Sequence, residues 1–377
     1  DATGDGTLPA AAGGTTPEFT TTVATAETPA VILYTSGTTG RPKGAVITHR
    51  NLTANARALV QTWGWRDDDV LLHALPLYHI HGLFVACHCA LLGASRILLM
   101  AKFDAKRVVE LLPRATVFMG VPTFYTRLLA EPSLDVDRCR RMRLFISGSA
   151  PLLVQTFEDF RQRTGHTILE RYGMTETGMN TSNPLGAERR PGTVGQALPG
   201  VSLRIVDERE RDVECGGIGQ LLVRGDNVSP GYWGMPERRA DDFTADGYFR
   251  TGDLARMDAD GYVSIVGRAK DLIISGGLNV YPKEVESYID RLEGVVESAV
   301  IGVPHADFGE AVIAVVVPAA GTQLTESAVI QRLKNDIAGF KVPKRVVFVD
   351  ALPRNAMGKV QKNVLRERYG ATSANAR

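Results

Sequence analysis

The stretch YTSGTTGRPKG, from Tyr34 to Gly44, collects three glycines, four Ser or Thr residues and Lys43 with no acidic residue, directly after the apolar run AVIL. Glycines let a backbone turn sharply and present N–H groups to an anion, while hydroxyls and a lysine add donors and charge. A polyphosphate suits that set. The loop is not a Walker sequence, because Lys43 is followed by Gly44 where Ser or Thr would be needed, and Pro42 breaks the start of a helix. Taken alone, such a loop also reads as a surface turn, so the elements around it must decide.

From Ala30 to about Phe160, short apolar runs such as RILLM, ATVFMG and MRLFISG alternate with helix-length segments such as NLTANARALVQTW and DAKRVVELL. That alternation predicts an α/β domain with a mostly parallel sheet and crossover helices. The run before the loop reads as a buried strand. Between Thr193 and Gly267, closely spaced strands and Gly turns predict an antiparallel, hairpin-rich region. After GRAKD come the helix YPKEVESYIDRL, the strand-like ESAVIGVP and EAVIAVVVPA, and the helix TESAVIQRLKNDI, which together predict a small α+β domain. The expected division is a loose lead-in over 1–28, a large domain over 29–269 and a small mobile domain over 270–377.

Composition sets limits on partners. Lys and Arg number 43 against 42 Asp and Glu, so no global field argues for nucleic acid or an anionic membrane. Cys87, Cys89, Cys139 and Cys215 form no CxxC pair and read as free thiols of a reducing compartment. No run of eighteen apolar residues and no signal-peptide start is present, so the expectation is a cytoplasmic protein without an obligate protein partner. HIHGLFVACHC offers His79, His81, Cys87, His88 and Cys89, but the spacing is unlike structural zinc sites; its apolar filling predicts a core helix with His79 and His81 at the pocket end.

Together with YTSGTTGRPKG, the stretches SGSAP (147–151), RYGMTET (171–177), RTGD (250–253), GRAKDLIISGGLNVYPKEVE (267–286) and PRNAMGK (353–359) resemble the motifs of the acyl-adenylate-forming family, in that family's order. The family includes acyl-CoA synthetases, luciferases and peptide-synthetase adenylation domains. RYGMTETGMNTSNP and PLYHIHGLFVACHCALL are most similar to its malonate-activating CoA ligases. Members carry more chain ahead of the phosphate loop than the thirty or so residues here. The resemblance implies a large domain of parallel sheets plus a distorted antiparallel β-barrel subdomain, a small α+β C-terminal domain, and the use of ATP, Mg²⁺ and CoA. It also implies the reaction: a carboxylate, malonate or methylmalonate, is joined to AMP with release of pyrophosphate and then transferred to CoA.

Carried over residue by residue, the resemblance gives Thr35, Ser36, Gly37, Thr38, Thr39 and Lys43 to the outer phosphates, and Ser149, Ala150 and Pro151 to a turn under the adenine. Tyr172 offers a flat face for adenine, Thr175 a hydroxyl for the α-phosphate, and Glu176 a hard oxygen ligand for Mg²⁺. Asp253 accepts from the ribose hydroxyls and Arg268 adds a ribose or phosphate contact. Lys359 bridges the attacking carboxylate and the α-phosphate, whereas Lys362 reads as a solvated lysine. Lys270 is the expected hinge, Gly276 and Gly277 line a pantetheine tunnel, and Phe340 and Lys344 hold the CoA nucleotide.

A second carboxylate needs a fixed cation in the acyl pocket. In GVPTFYTRLL, Arg127 lies four residues beyond Thr123 on one helical face, and is expected to hold it, with His81 on the substrate and Ile80 and Met179 bordering the α-carbon. Three alternatives stand beside this one: another acyl- or aryl-CoA ligase, an adenylation module loading a carrier protein, and a nucleotide-binding protein without turnover.

Overall fold

Four-residue apolar runs, too short for helices, build the central sheet. In the computed structural model, which describes residues 20–35, 42–355 and 358–370, every residue of Val70–His73, Val117–Gly120 and Leu144–Ser147 is buried. Burial on both faces is what parallel strands covered by crossover helices require. The sheet runs Arg96–Leu99, Val70–His73, Val117–Gly120, Leu144–Ser147, Ile168–Met174, all parallel, and then turns antiparallel through Gly178–Ser182 and Gln196–Ala197. His73, Gly120, Ser147 and Arg171 thereby stand toward the carboxyl ends of adjacent parallel strands, the edge at which open α/β sheets bind ligands.

The strand before the phosphate loop, read as buried, is half exposed. Pro29–Thr35 pairs antiparallel with Lys43–Thr48 in a separate two-stranded ribbon, with a mixed pattern of exposure along its length. Its register sets Thr35 opposite Lys43, so both ends of the loop are held even though Ser36, Gly37, Thr38 and Thr39 lie outside the described residues. Thr48 then caps the helix His49–Thr62, its side chain accepting from the Asn51 N–H while Asn51 accepts from the Thr48 N–H.

The region expected as a distorted barrel is a four-stranded antiparallel sheet among the described residues: Val201–Val206, Gly219–Gly225, Phe249–Met257 and Val263–Arg268. The core helix expected over HIHGLFVACHC is π-helical from His81 to Cys87 and α-helical from His88 to Leu92. π-helical turns of this kind concentrate at functional sites.

The short turn Ala269–Asp271 leads out of the four-stranded sheet into a five-stranded one. There Val295–His305 and Gly309–Pro318 form a long hairpin, Ile273–Ser275 and Leu278–Val280 a short one, and Arg345–Phe348 lies parallel to Gly309–Pro318. Helices Pro282–Ile289 and Glu326–Asp336 bury Val285, Ile289, Val329 and Leu333 against one face, and Leu365 of Lys362–Gly370 packs on the other. The α+β reading of this part is what the structure contains.

Candidate active site

Asp253 and Arg268 face each other across adjacent strands, and their side chains pair at 2.8 Å. The second Asp253 oxygen accepts from the Tyr172 hydroxyl, so strand register and hydrogen bonds fix the carboxylate from two sides. Burial works against the Arg268 charge, but Asp253 and Tyr172 more than offset it and raise the pKa of the guanidinium. The Tyr172 phenol is pushed well above its ordinary value by burial and by Asp253, and remains a donor. A buried carboxylate acceptor beside an aromatic ring suits a ribose and its base.

Glu176 is buried and accepts from the Tyr232 hydroxyl at 2.9 Å and from Thr35 Oγ1 at 3.4 Å. Lys43, also buried, sits over the Tyr232 ring 5.1 Å from its centroid. Tyr232 therefore joins the loop lysine to the expected metal ligand. It was not singled out from the sequence, where GYW looks like an ordinary turn after a strand. No group of three His, Cys, Asp or Glu that could hold a metal occurs among the described residues. Glu176, a hard carboxylate with two hydroxyl donors on one oxygen, fits Mg²⁺ of the kind held by one carboxylate together with substrate phosphates and water.

Lys359 arrives from the small domain. Its N–H donates to Asn355 Oδ1 at 3.0 Å, and the Arg354 guanidinium donates to the Gly358 carbonyl while pairing with Glu297. A Cβ placed on Gly358 would lie 3.2 Å from Thr123 Oγ1, so this loop touches the start of the helix Pro122–Leu129. Lys359 is exposed, yet desolvation by the surrounding protein, with repulsion from Arg268 and Lys270, lowers its pKa against the pull of Asp253 and Glu176. Arg268, Lys270, Asp253 and Glu176 thus all lie close enough to Lys359 for their charges to act on it. Lys362, expected to be solvated, is instead paired with the buried Glu286 at 2.6 Å.

Below this cleft lies a polar floor. Arg171 is 2% exposed, and its Nε and Nη2 have no partner; among the described residues no ion pair involves it. Burial drives its pKa down to about 9, against support from Tyr125 and Glu170. Its guanidinium lies over Gly148, where a Cβ would come within 2.5 Å of Cζ, so only glycine leaves it room. His81 is fully buried, with Nδ1 3.2 Å from Ser149 Oγ and Nε2 unpartnered; burial, with repulsion from Arg171, holds it neutral. The Ser147 hydroxyl is likewise buried without a partner. Ser149 has φ +71°, a strained conformation for a non-glycine residue at the turn expected under adenine.

Ile80 and Met179 are buried, and Met179 is fixed by Asn55, whose side chain accepts from and donates to its backbone. Arg127, expected in the pocket, is exposed on the last turn of Pro122–Leu129, away from the buried Tyr125 and Leu128. Arg171 entered the sequence reading only as the first letter of RYGMTET; a Glu-Arg pair at Glu170–Arg171 following the apolar start of the strand Ile168–Met174 was the available signal. Ala150 and Thr175 are half-buried and Pro151 is exposed. Lys270 is exposed in the connecting turn, and Gly276 and Gly277 both have positive φ in the tight turn between Ile273–Ser275 and Leu278–Val280. Phe340 is partly packed on the small core, whereas Lys344 is exposed.

Residues 4–233 match the AMP-binding enzyme family, and residues 284–359 match the AMP-binding enzyme C-terminal domain. The chain is 41% identical to the mitochondrial malonate–CoA ligase of Mus musculus and 38% identical to the malonate–CoA ligase of Arabidopsis thaliana, in each case over 90% of this chain. It spans 64% and 60% of the length of those relatives. Among solved structures, ATP-bound MatB from Rhodopseudomonas palustris is 56% identical and superposes with a TM-score of 0.96 over 98% of this chain and 74% of that one. A malonyl-CoA ligase with methylmalonyl-CoA and AMP bound is 41% identical, with a TM-score of 0.63 over 89% of this chain and 74% of that one.

Proposed function

The chain belongs to the AMP-binding enzyme family, and from that membership we propose that it is an ATP-dependent, AMP-forming malonate–CoA ligase, with methylmalonate as a second substrate. Arg171 carries the choice of substrate: a buried guanidinium with unpartnered N–H groups costs several kcal/mol of desolvation unless an anion meets it. A monocarboxylate would leave it unpaired, whereas a dicarboxylate brings one carboxylate to react and one to pair. His81 and the Ser147 hydroxyl add neutral partners, and the names of the mouse and Arabidopsis relatives point to the same acid. Arg127, exposed on the pocket helix, would attract the incoming dianion from the rim.

In the first half reaction a carboxylate oxygen of the substrate bonds to the α-phosphorus of ATP and the bond to pyrophosphate breaks. Lys359 balances the entering carboxylate and the α-phosphate as negative charge gathers on the equatorial oxygens. Lys43, Thr35 and the Ser36–Thr39 loop hold the departing pyrophosphate, Asp253 and Tyr172 hold the nucleoside, and Thr175 donates to the α-phosphate. Mg²⁺ at Glu176 would supply charge neutralisation between the phosphates.

In the second half reaction the CoA sulfur attacks the acyl carbon and AMP leaves. A lysine filling the cleft beside the α-phosphate obstructs that approach, so the small domain, taken as residues 270–377, turns about Lys270 and brings Gly276 and Gly277 to the acyl group. The contrast in superposition, 0.96 to the ATP-bound relative and 0.63 to the product complex, supports such a change of pose. The four cysteines are unpaired, which suits a reducing compartment; the cytoplasmic reading stands beside a mouse relative named as mitochondrial, and fractionation separates the two.

The test offers malonate, methylmalonate, acetate, octanoate and benzoate in parallel with ATP, Mg²⁺ and CoA. Thioester from malonate with none from acetate supports the reading. Preference for a monocarboxylate discards the substrate but keeps the chemistry, and adenylate without thioester points to carrier loading.

A further inference from the structure

Lys359 stands on a tight turn rather than on a helix or a sheet strand. Arg354 and Val360 face each other in an antiparallel bridge, the Asn355 N–H donates to the Lys359 carbonyl at 3.0 Å, and the Gly358 N–H donates to the Asn355 carbonyl at 2.9 Å. Gly358 has φ +74°, a conformation that glycine adopts without strain. A turn this small has no core of its own, so its aim depends on what ties down its two feet. Both are tied to the strand Val295–His305. At the first foot the Arg354 guanidinium spans two partners, donating through Nη1 to the Gly358 carbonyl and through Nη2 to Glu297 of that strand. At the second, one oxygen of the buried Glu286 accepts from the strand's Val300 N–H at 2.9 Å and from the Lys362 ammonium at 2.6 Å.

We infer that Arg354, held by Glu297, is a positioning residue for Lys359: its fork spans the mouth of the turn and fixes the peptide between Gly358 and Lys359. The inference rests on the reading of Lys359 as the lysine of adenylation. The Gly358 carbonyl belongs to the planar peptide unit directly before Lys359, so holding that oxygen orients the backbone from which the lysine stem departs. A planar guanidinium can hold a carboxylate and a carbonyl in one fixed geometry, which a point-like ammonium cannot. Folding stability asks little of the pair. Its side chains stay 27% and 25% exposed, and ion pairs open to water contribute little to stability. Placement asks more, because the lysine must meet two anions at once, and an error of about 1 Å at a reacting group costs about a hundredfold in rate.

The experiment follows each half reaction in single turnover for the unaltered protein, Arg354→Ala, Arg354→Lys and Glu297→Gln, with Arg354→Ala repeated in a Lys359→Ala background. Adenylation of malonate should fall roughly tenfold to a hundredfold in Arg354→Ala. Arg354→Lys, which keeps the charge without the fork, should not restore it, and Glu297→Gln, which keeps an acceptor, should lose less. Transfer from supplied malonyl-adenylate to CoA should change less than about twofold. Adding Arg354→Ala to Lys359→Ala should also cost less than about twofold in adenylation, since a residue that acts through the lysine then has nothing to place. Full rescue by Arg354→Lys overturns the inference. Equal loss in both half reactions, or the same loss with and without Lys359, overturns it as well and assigns the pair to the integrity of the small domain. A large loss in Lys359→Ala with none in Arg354→Ala overturns the positioning role alone, whereas adenylation at the unaltered rate in Lys359→Ala fails the reading of the lysine and takes the inference with it.

Discussion

The Tyr232 hydroxyl donates to Glu176 Oε1 at 2.9 Å, and the same ring holds the Lys43 ammonium 5.1 Å from its centroid. One side chain thus sets the spacing between the phosphate-loop cation and the carboxylate proposed to hold Mg²⁺. Burial and the Glu176 charge raise the Tyr232 pKa, so the phenol stays a donor through the physiological range.

Tyr232→Phe keeps the ring and removes the donor. A hydrogen bond to a charged group contributes about 1.5–3 kcal/mol, so kcat/KM for Mg·ATP should fall roughly tenfold to a hundredfold. Thioester formation from preformed malonyl-adenylate should not change. Equal loss in both half reactions would make Tyr232 a general structural residue.

Arg171→Met separates substrate binding from folding. Taking away the partner of a buried carboxylate costs about 3–5 kcal/mol, so kcat/KM for malonate should drop at least about a hundredfold. Thermal stability should hold or rise, because the variant removes a buried charge that has no partner in the unliganded protein. A lower Tm with intact malonate kinetics would mean that the guanidinium serves the core.

Arg127→Ala should act more weakly. At an exposed position a charge contact contributes about 1 kcal/mol or less, so the malonate KM should rise by at most about fivefold, with ATP binding spared and the effect shrinking in high salt. Unchanged malonate kinetics would remove Arg127 from substrate capture.

The pH profile of kcat/KM for ATP reports groups of the free enzyme. Lys359 must be protonated to balance the α-phosphate, and desolvation with the nearby Arg268 lowers its pKa. The alkaline limb should therefore fall with a midpoint below the roughly 10.4 of an ordinary lysine. A midpoint at or above that value would contradict the desolvated position.

The sequence disclosed the parallel sheet and the small α+β domain, because those depend on local alternation. Its short motifs named Lys43, Glu176 and Asp253, which the structure places beside their partners Tyr232, Arg268 and Tyr172. Contacts across the chain were not legible. Tyr232 meets Glu176 over a separation of 56 residues, and Lys362 meets Glu286 over 76. Arg127 was chosen by helical spacing, which gives a face but not whether that face is inward; the buried neighbours Tyr125 and Leu128 turn it outward. Arg171 was hidden in plain view, since strand alternation does not say that Gly148 leaves space for a guanidinium.

The most direct test of the two-pose mechanism is Lys359→Ala followed through each half reaction in single turnover. Adenylation of malonate should fall by several orders of magnitude, while transfer from supplied malonyl-adenylate to CoA should proceed at the rate of the unaltered protein. Comparable loss of both steps would contradict a lysine that serves the first step and leaves before the second.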